Sequence, residues 1–288
     1  MVEGVAFDDP ISLTARMTAA ARARESRRPD RLFDDPWAGA LAGPEGVALM
    51  NELEAVASPP GKPAGARDNP YIAIRTRCFD DFLLAAARDA AIRQVVLLAA
   101  GLDSRAFRLD WPADTRCFEL DRADVLHAKD ELLEAAGAVP RCARHVIGAD
   151  LTGDWSEMLL AGGFDAGAPS VWLVEGLTPY LEDGAVRALL ARCGDLAARG
   201  SRLGIDLASR GIFDSPWTVN YRQALERIGA PWRFGTDEPE ALLASAGWDA
   251  VVVRPGEPAA SFGRWPYPVP PRGTPGIPSF FIAIATRR

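Results

Sequence analysis

Histidine is nearly missing from this chain: His127 and His145 are the only two in 288 residues. So few imidazoles leave little for a histidine-rich metal centre, and no metal site is expected. The four cysteines (Cys78, Cys117, Cys142, Cys193) are scattered, with no Cys-x-x-Cys pair. That excludes a disulfide framework and a zinc ribbon, and it suits reduced thiols in a cytoplasmic setting. A basic excess is lacking too. The net charge is −7 and the pI near 5.1, which argues against a general nucleic-acid binder. No apolar run approaches the roughly 20 residues that span a bilayer, so no membrane partner is expected. Met1–Asp9 has no basic segment followed by an apolar core, so no secretory signal is expected. A Gly-x-Ser-x-Gly elbow and a Gly-x-x-x-x-Gly-Lys-[Ser/Thr] loop are both absent. Their absence removes the serine-hydrolase and phosphate-loop readings.

What is present is ample apolar sequence, 48% of the chain, enough for one large α/β domain. Residues 1–91 read as a helical cap and lead-in helix, with helix from about Ser12 to Leu41, from Glu45 to Val56, and from Asn69 to Ala91. Ser58–Pro63 is a Pro/Gly break expected to form a surface loop. Residues 92–206 alternate short strands with amphipathic helices. Strands are expected at Val95–Ala99, Arg116–Leu120, Arg144–Ile147, Ser170–Glu175 and Ser201–Asp206. Two late strands, Val251–Arg254 and Phe280–Ala285, fall within 239–288. The pattern predicts a doubly wound, mostly parallel sheet of seven strands.

The most informative stretch is Gln94 to Arg105, a buried strand running into the turn Ala99-Ala100-Gly101. About twenty residues on, a second strand ends at Asp121. Strand, tight turn and an acid at the next strand tip form the pattern by which α/β sheets hold an adenosine-containing cofactor. Only Gly101 survives of the three glycines that a pyrophosphate cradle wants. A cofactor without phosphate, such as S-adenosylmethionine, makes no such demand. An ordinary buried strand and turn is the alternative. Two more acids, Asp150 and Glu175, sit at predicted strand ends, so three carboxylates are expected on one rim. Residues 207–238 interrupt the alternation with Phe213, Trp217, Tyr221, Trp232 and Phe234 among Arg210, Arg222, Arg227 and Arg233. Following a strand's carboxyl end, this segment is expected to be a lid or pocket wall.

These blocks together resemble the class I S-adenosylmethionine-dependent methyltransferases of the leucine carboxyl methyltransferase-like group. The resemblance rests on Leu98-Ala99-Ala100-Gly101-Leu102-Asp103-Ser104-Arg105, Phe118-Glu119-Leu120-Asp121 with Lys129 downstream, and Ala149-Asp150-Leu151. It rests also on Glu175-Gly176-Leu177-Thr178-Pro179-Tyr180-Leu181 and an early Arg22–Ser26 segment before Leu32–Pro36. It implies a Rossmann-like fold and S-adenosylmethionine as cofactor. By position it implies cofactor contacts from Arg75, Ala99, Gly101, Asp121, Asp150, Leu151 and Glu175, with Arg16 as a second basic contact. Asp121 is implied for the ribose, Asp150 and Leu151 for adenine, and Arg75 for the cofactor carboxylate. The group often has Gly where Ala99 stands. Tyr180, Arg210, Phe213, Trp217, Tyr221 and Arg222 are the candidate acceptor contacts.

Methyl transfer from a sulfonium needs alignment and exclusion of water more than acid–base chemistry. A carboxylate acceptor is ionised at neutral pH and needs no base, whereas a phenol wants one. With histidine so scarce, the expectation is O-methylation of a small-molecule carboxylate, as in secondary metabolism, with no catalytic side chain assigned. The alternatives are a phenol or hydroxyl acceptor, a nicotinamide-dependent oxidoreductase, and a cofactor-binding protein without turnover.

Overall fold

The computed structural model describes residues 10–57 and 69–288. The Ser58–Pro63 break and the Met1–Asp9 terminus lie outside the described residues. Three helices come first: α1 (Pro10–Ser26), α2 (Ala38–Val56) and α3 (Tyr71–Ala87). Strands and helices then alternate through β1 (Gln94–Leu98), α4 (Arg105–Arg108), β2 (Arg116–Asp121), α5 (Ala123–Ala135) and β3 (Ala143–Gly148). They continue with α6 (Ser156–Ala161), β4 (Ser170–Val174), α7 (Asp183–Leu196) and β5 (Arg202–Ala208). The last elements are α8 (Val219–Arg227), α9 (Pro239–Ser245), β6 (Trp248–Val253) and β7 (Phe280–Arg287).

All seven strands join one sheet in the order β3-β2-β1-β4-β5-β7-β6. β1 to β5 are parallel, and β7 runs antiparallel between β5 and β6. β1 (Gln-Val-Val-Leu-Leu) and β4 (Ser-Val-Trp-Leu-Val) are buried along their whole length. That is what parallel strands covered on both faces require. Side chains alternate between two cores. Val95 and Leu97 pack with Ile74, Phe79 and Leu83 of α3 on one face. Val96 and Leu98 pack with Trp155, Leu189 and Leu190 on the other.

The helix expected from Ser12 to Leu41 is two helices. Pro29 disfavours helical geometry in the residue before it, and the chain turns between Ser26 and Ala38. The turn is held by Ser26, whose hydroxyl accepts the Asp35 N–H at 2.9 Å. α2 is kinked at Gly43-Pro44, where Gly43 leaves helical geometry at φ 60°, ψ 180°. α3 opens with the Asn69 side-chain oxygen accepting the Tyr71 N–H at 3.0 Å. Among the described residues no helix is long and apolar enough to cross a membrane.

Candidate functional site

β1 stops at Leu98 because the next residues leave extended geometry. Ala99 takes φ +52° and Gly101 φ +40°. Glycine adopts this left-handed region freely, while alanine does so at a cost of roughly 1–2 kcal/mol. The turn is fastened from the neighbouring strand. Asp121 Oδ2 accepts the Gly101 N–H at 2.7 Å, and Oδ1 accepts the Arg122 N–H at 2.7 Å. Burial nevertheless pushes the Asp121 carboxyl above its ordinary range, against those two bonds.

A cluster of buried ion pairs lies beside the turn. Arg105 Nε donates to Asp80 Oδ1 at 2.7 Å, and its Nη1 donates to Asp103 and to Glu175 Oε2, the latter at 2.7 Å. Arg75 Nη1 donates to Asp206 Oδ2 at 2.7 Å, and its Nε stands 2.8 Å from Glu175 Oε1. Glu175 therefore bridges two buried arginines. Burial alone would raise Asp103, but Arg105 and Lys129 outweigh it and hold the carboxyl at about 2. Burial alone would lower Arg75; Asp206 and Glu175 outweigh that and keep the guanidinium charged. Asp206 also accepts the Gly176 N–H at 2.7 Å and the Tyr71 hydroxyl at 2.9 Å. Gly176, at φ +71°, lets the backbone pass the Arg75 guanidinium. Behind β2, the fully buried Lys129 braces Glu119 at 2.8 Å.

Of these groups Tyr71, Arg75, Asp103, Arg105, Glu175 and Asp206 border one cavity of about 570 Å³ at the carboxyl ends of the strands. α1 forms part of its wall, with Ala15 over the Gly101 turn. The strand-tip candidates Ala99, Gly101, Asp121, Asp150, Leu151 and Glu175 all line this cavity, as does Arg75. Asp150 is exposed, and its Oδ1 accepts the Thr152 N–H at 2.8 Å and the Thr152 hydroxyl at 2.7 Å. Of the acceptor candidates, Tyr180, Trp217 and Tyr221 line the cavity; Arg210, Phe213 and Arg222 do not. Arg210 is exposed to solvent. Arg222 turns inward on its own segment, donating to the Phe213 carbonyl and covering the Phe213 ring at 5.7 Å. Phe234 belongs to the core, not the wall. Arg16 points to α2, where Nη1 donates to the Ala42 carbonyl at 3.4 Å.

The family profile described as leucine carboxyl methyltransferase matches residues 15–194. The chain belongs to this family. A relative from Parafrankia sp., named as a candidate S-adenosyl-L-methionine-dependent methyltransferase, is 50% identical over 83% of this chain and 76% of its own length. One of the same description from Streptomyces coelicolor is 41% identical, covering 90% of this chain and 88% of its own. Among solved structures, a candidate methyltransferase from Thermobifida fusca superposes with a TM-score of 0.63 at 18% identity, over 95% and 94% of the two chains. At that identity the superposition speaks for the fold alone. The protein is thus an enzyme, an S-adenosyl-L-methionine-dependent methyltransferase with a class I, Rossmann-like fold.

The methyltransferase's cavity also contains groups that the sequence reading left out. Asp206 obeys the same strand-tip rule as the three acids that were picked, and that rule would have found it. Tyr71 and Phe280, at the starts of α3 and β7, carry no local signal. Nor does the segment from Arg254 to Ser279, between β6 and β7, which brings Trp265 and Tyr267 to the wall.

Proposed function

We propose that this methyltransferase acts on a carboxylate oxygen of a small molecule. The position of the chain's two histidines carries the reading. His127 stands exposed on α5 beside Glu131, and His145 stacks on Phe118 with ring centroids 4.6 Å apart. Neither lines the cavity. The acids that do line it are engaged: Asp103, Glu175, Asp206 and Glu54 by arginines, Asp121 by backbone N–H groups, and the exposed Asp150 by Thr152. A phenol, with a pKa near 10, needs a base in such a place; a carboxylate, with a pKa near 4, arrives ionised.

The donor set suits a cofactor with a nucleoside, an amino-acid tail and no phosphate. Asp121 keeps lone pairs beyond its two backbone bonds and accepts the ribose hydroxyls. Asp150 Oδ2 accepts the adenine amino group, with Leu151 beside the ring. The Nη2 group of Arg75 holds the cofactor carboxylate while Glu175 fixes that guanidinium in place. When bound, S-adenosylmethionine would supply a methyl carbon on a sulfonium, the C–S bond giving way to the acceptor's O–C bond with the electron pair left on neutral sulfur. The chain's part is to align the acceptor and to exclude water, through α1 above the turn and the aromatic wall beyond it.

Incubating the enzyme with methyl-labelled S-adenosylmethionine and a panel of small-molecule acids tests this reading. The label is expected in a product that mild base releases as methanol. Label held only in base-stable products refutes carboxyl transfer.

A further inference from the structure

Beyond the ion pairs one stretch of the cavity wall is a row of rings. Tyr71, Phe280, Trp232 and Tyr221 follow one another, with centroids 4.6, 6.1 and 5.3 Å apart. They come from α3, β7, the loop after α8, and α8 itself. The near end of this row is tied to the charged cluster. Tyr71 lies 5.4 Å from the Arg75 guanidinium, and its hydroxyl is spent on Asp206. At the far end the Tyr221 hydroxyl has no hydrogen-bond partner among the described residues, though the residue lines the cavity. Burial pushes the Tyr221 phenol above its ordinary range, so it stays neutral and able to donate. A second ring pair, Trp265 and Tyr267 at 5.4 Å, faces the same cavity from the segment between β6 and β7.

Such a wall discriminates by shape. A flat ring gains ring–ring attraction beyond the area it buries. A flexible chain gains only the area and gives up torsional freedom on binding. We infer that the methyl acceptor is a planar aromatic acid lying along this row. Its carboxylate points toward Tyr71, and Tyr221 Oη donates to a hydrogen-bonding substituent on the remote ring edge. The orientation rests on the carboxyl reading above; the ring preference stands on the wall itself.

Calorimetry on the full chain with S-adenosylhomocysteine bound reads the preference without turnover. The probes are 6-hydroxy-2-naphthoate, 2-naphthoate and undecanoate, a flexible acid of equal carbon count. The hydroxylated naphthoate is expected to bind at least about tenfold more tightly than undecanoate. Tyr221→Phe removes an unbonded hydroxyl and leaves the ring. It is expected to weaken 6-hydroxy-2-naphthoate about tenfold while 2-naphthoate stays within about twofold. Equal or tighter binding of undecanoate overturns the inference, as does an equal loss for both naphthoates or no binding of either. Product analysis on 6-hydroxy-2-naphthoate separates the two readings. A base-stable ether on the 6-hydroxyl overturns the orientation together with carboxyl transfer, while the ring preference is judged by calorimetry alone.

Discussion

At the tips of β1, β2 and β4 the cavity wall is charged, and nearly every donor has a carboxylate within 2.8 Å. At α8 and the start of β7 it is ring against ring, and the Tyr221 hydroxyl has no hydrogen-bond partner among the described residues. The first end is held by directional bonds in a water-poor site, where a missing partner leaves a bare charge. The second is held by dispersion and area, where a missing partner leaves a gap. One end is rigid about what it accepts. The other, on the acceptor reading proposed above, would take a flat body and read polarity at the Tyr221 hydroxyl.

The sharpest way to break this contrast is Arg105→Met. It leaves Asp103 without its arginine and takes one of two arginines from each of Asp80 and Glu175, and it is expected to cost about 3–5 kcal/mol in urea unfolding. Trp232→Leu at the other end is expected to cost about 1–2 kcal/mol in the same measurement. Equal costs would erase the distinction. An effect smaller than that of Arg105→Met is expected from Asp121→Ala, which weakens S-adenosylhomocysteine binding by about 1–3 kcal/mol in calorimetry. The wild-type affinity should also fall in acid as Asp121 takes up a proton. The fall begins above the ordinary carboxylate range, because burial raises this group. The variant should lose that pH dependence; an unchanged affinity puts the ribose elsewhere. The smallest effect is at the turn. Ala99→Gly relieves left-handed strain of roughly 1–2 kcal/mol but frees the unfolded chain by about half as much. A net gain on the order of 1 kcal/mol, or about 2 °C in Tm, is expected. A lower Tm means the turn is not strained.

The charged end was largely legible because its grammar is local. A buried run of Val and Leu, a small-residue turn and an acid at the next strand tip lie within thirty residues of one another, and the register of β1 on β2 brings Gly101 to Asp121. The φ of Ala99 is one that glycine adopts more freely than alanine. The aromatic end was only half legible. Trp217 and Tyr221, four residues apart, do line the cavity. Arg210, Phe213 and Arg222 were misjudged, since proximity in sequence does not say which side chains turn toward the cavity. Tyr71 and Phe280 meet only after α3 and β7 have docked, so no short window holds the signal. The run from Ser12 to Leu41 misled in the opposite way: its Ala-Arg composition favours helix, and Pro29 overrides it.

β7 slots between β5 and β6, and that placement has a consequence for synthesis. The parallel strands and the whole charged end emerge from the ribosome before Phe280 does. A nascent chain paused after β6 carries a finished binding rim and an open edge on β5, a template for pairing with other chains. Only arrival of the last strand closes that edge, and the same event delivers Phe280 to the aromatic row. Protection of that edge and completion of the aromatic row are thus one pairing step.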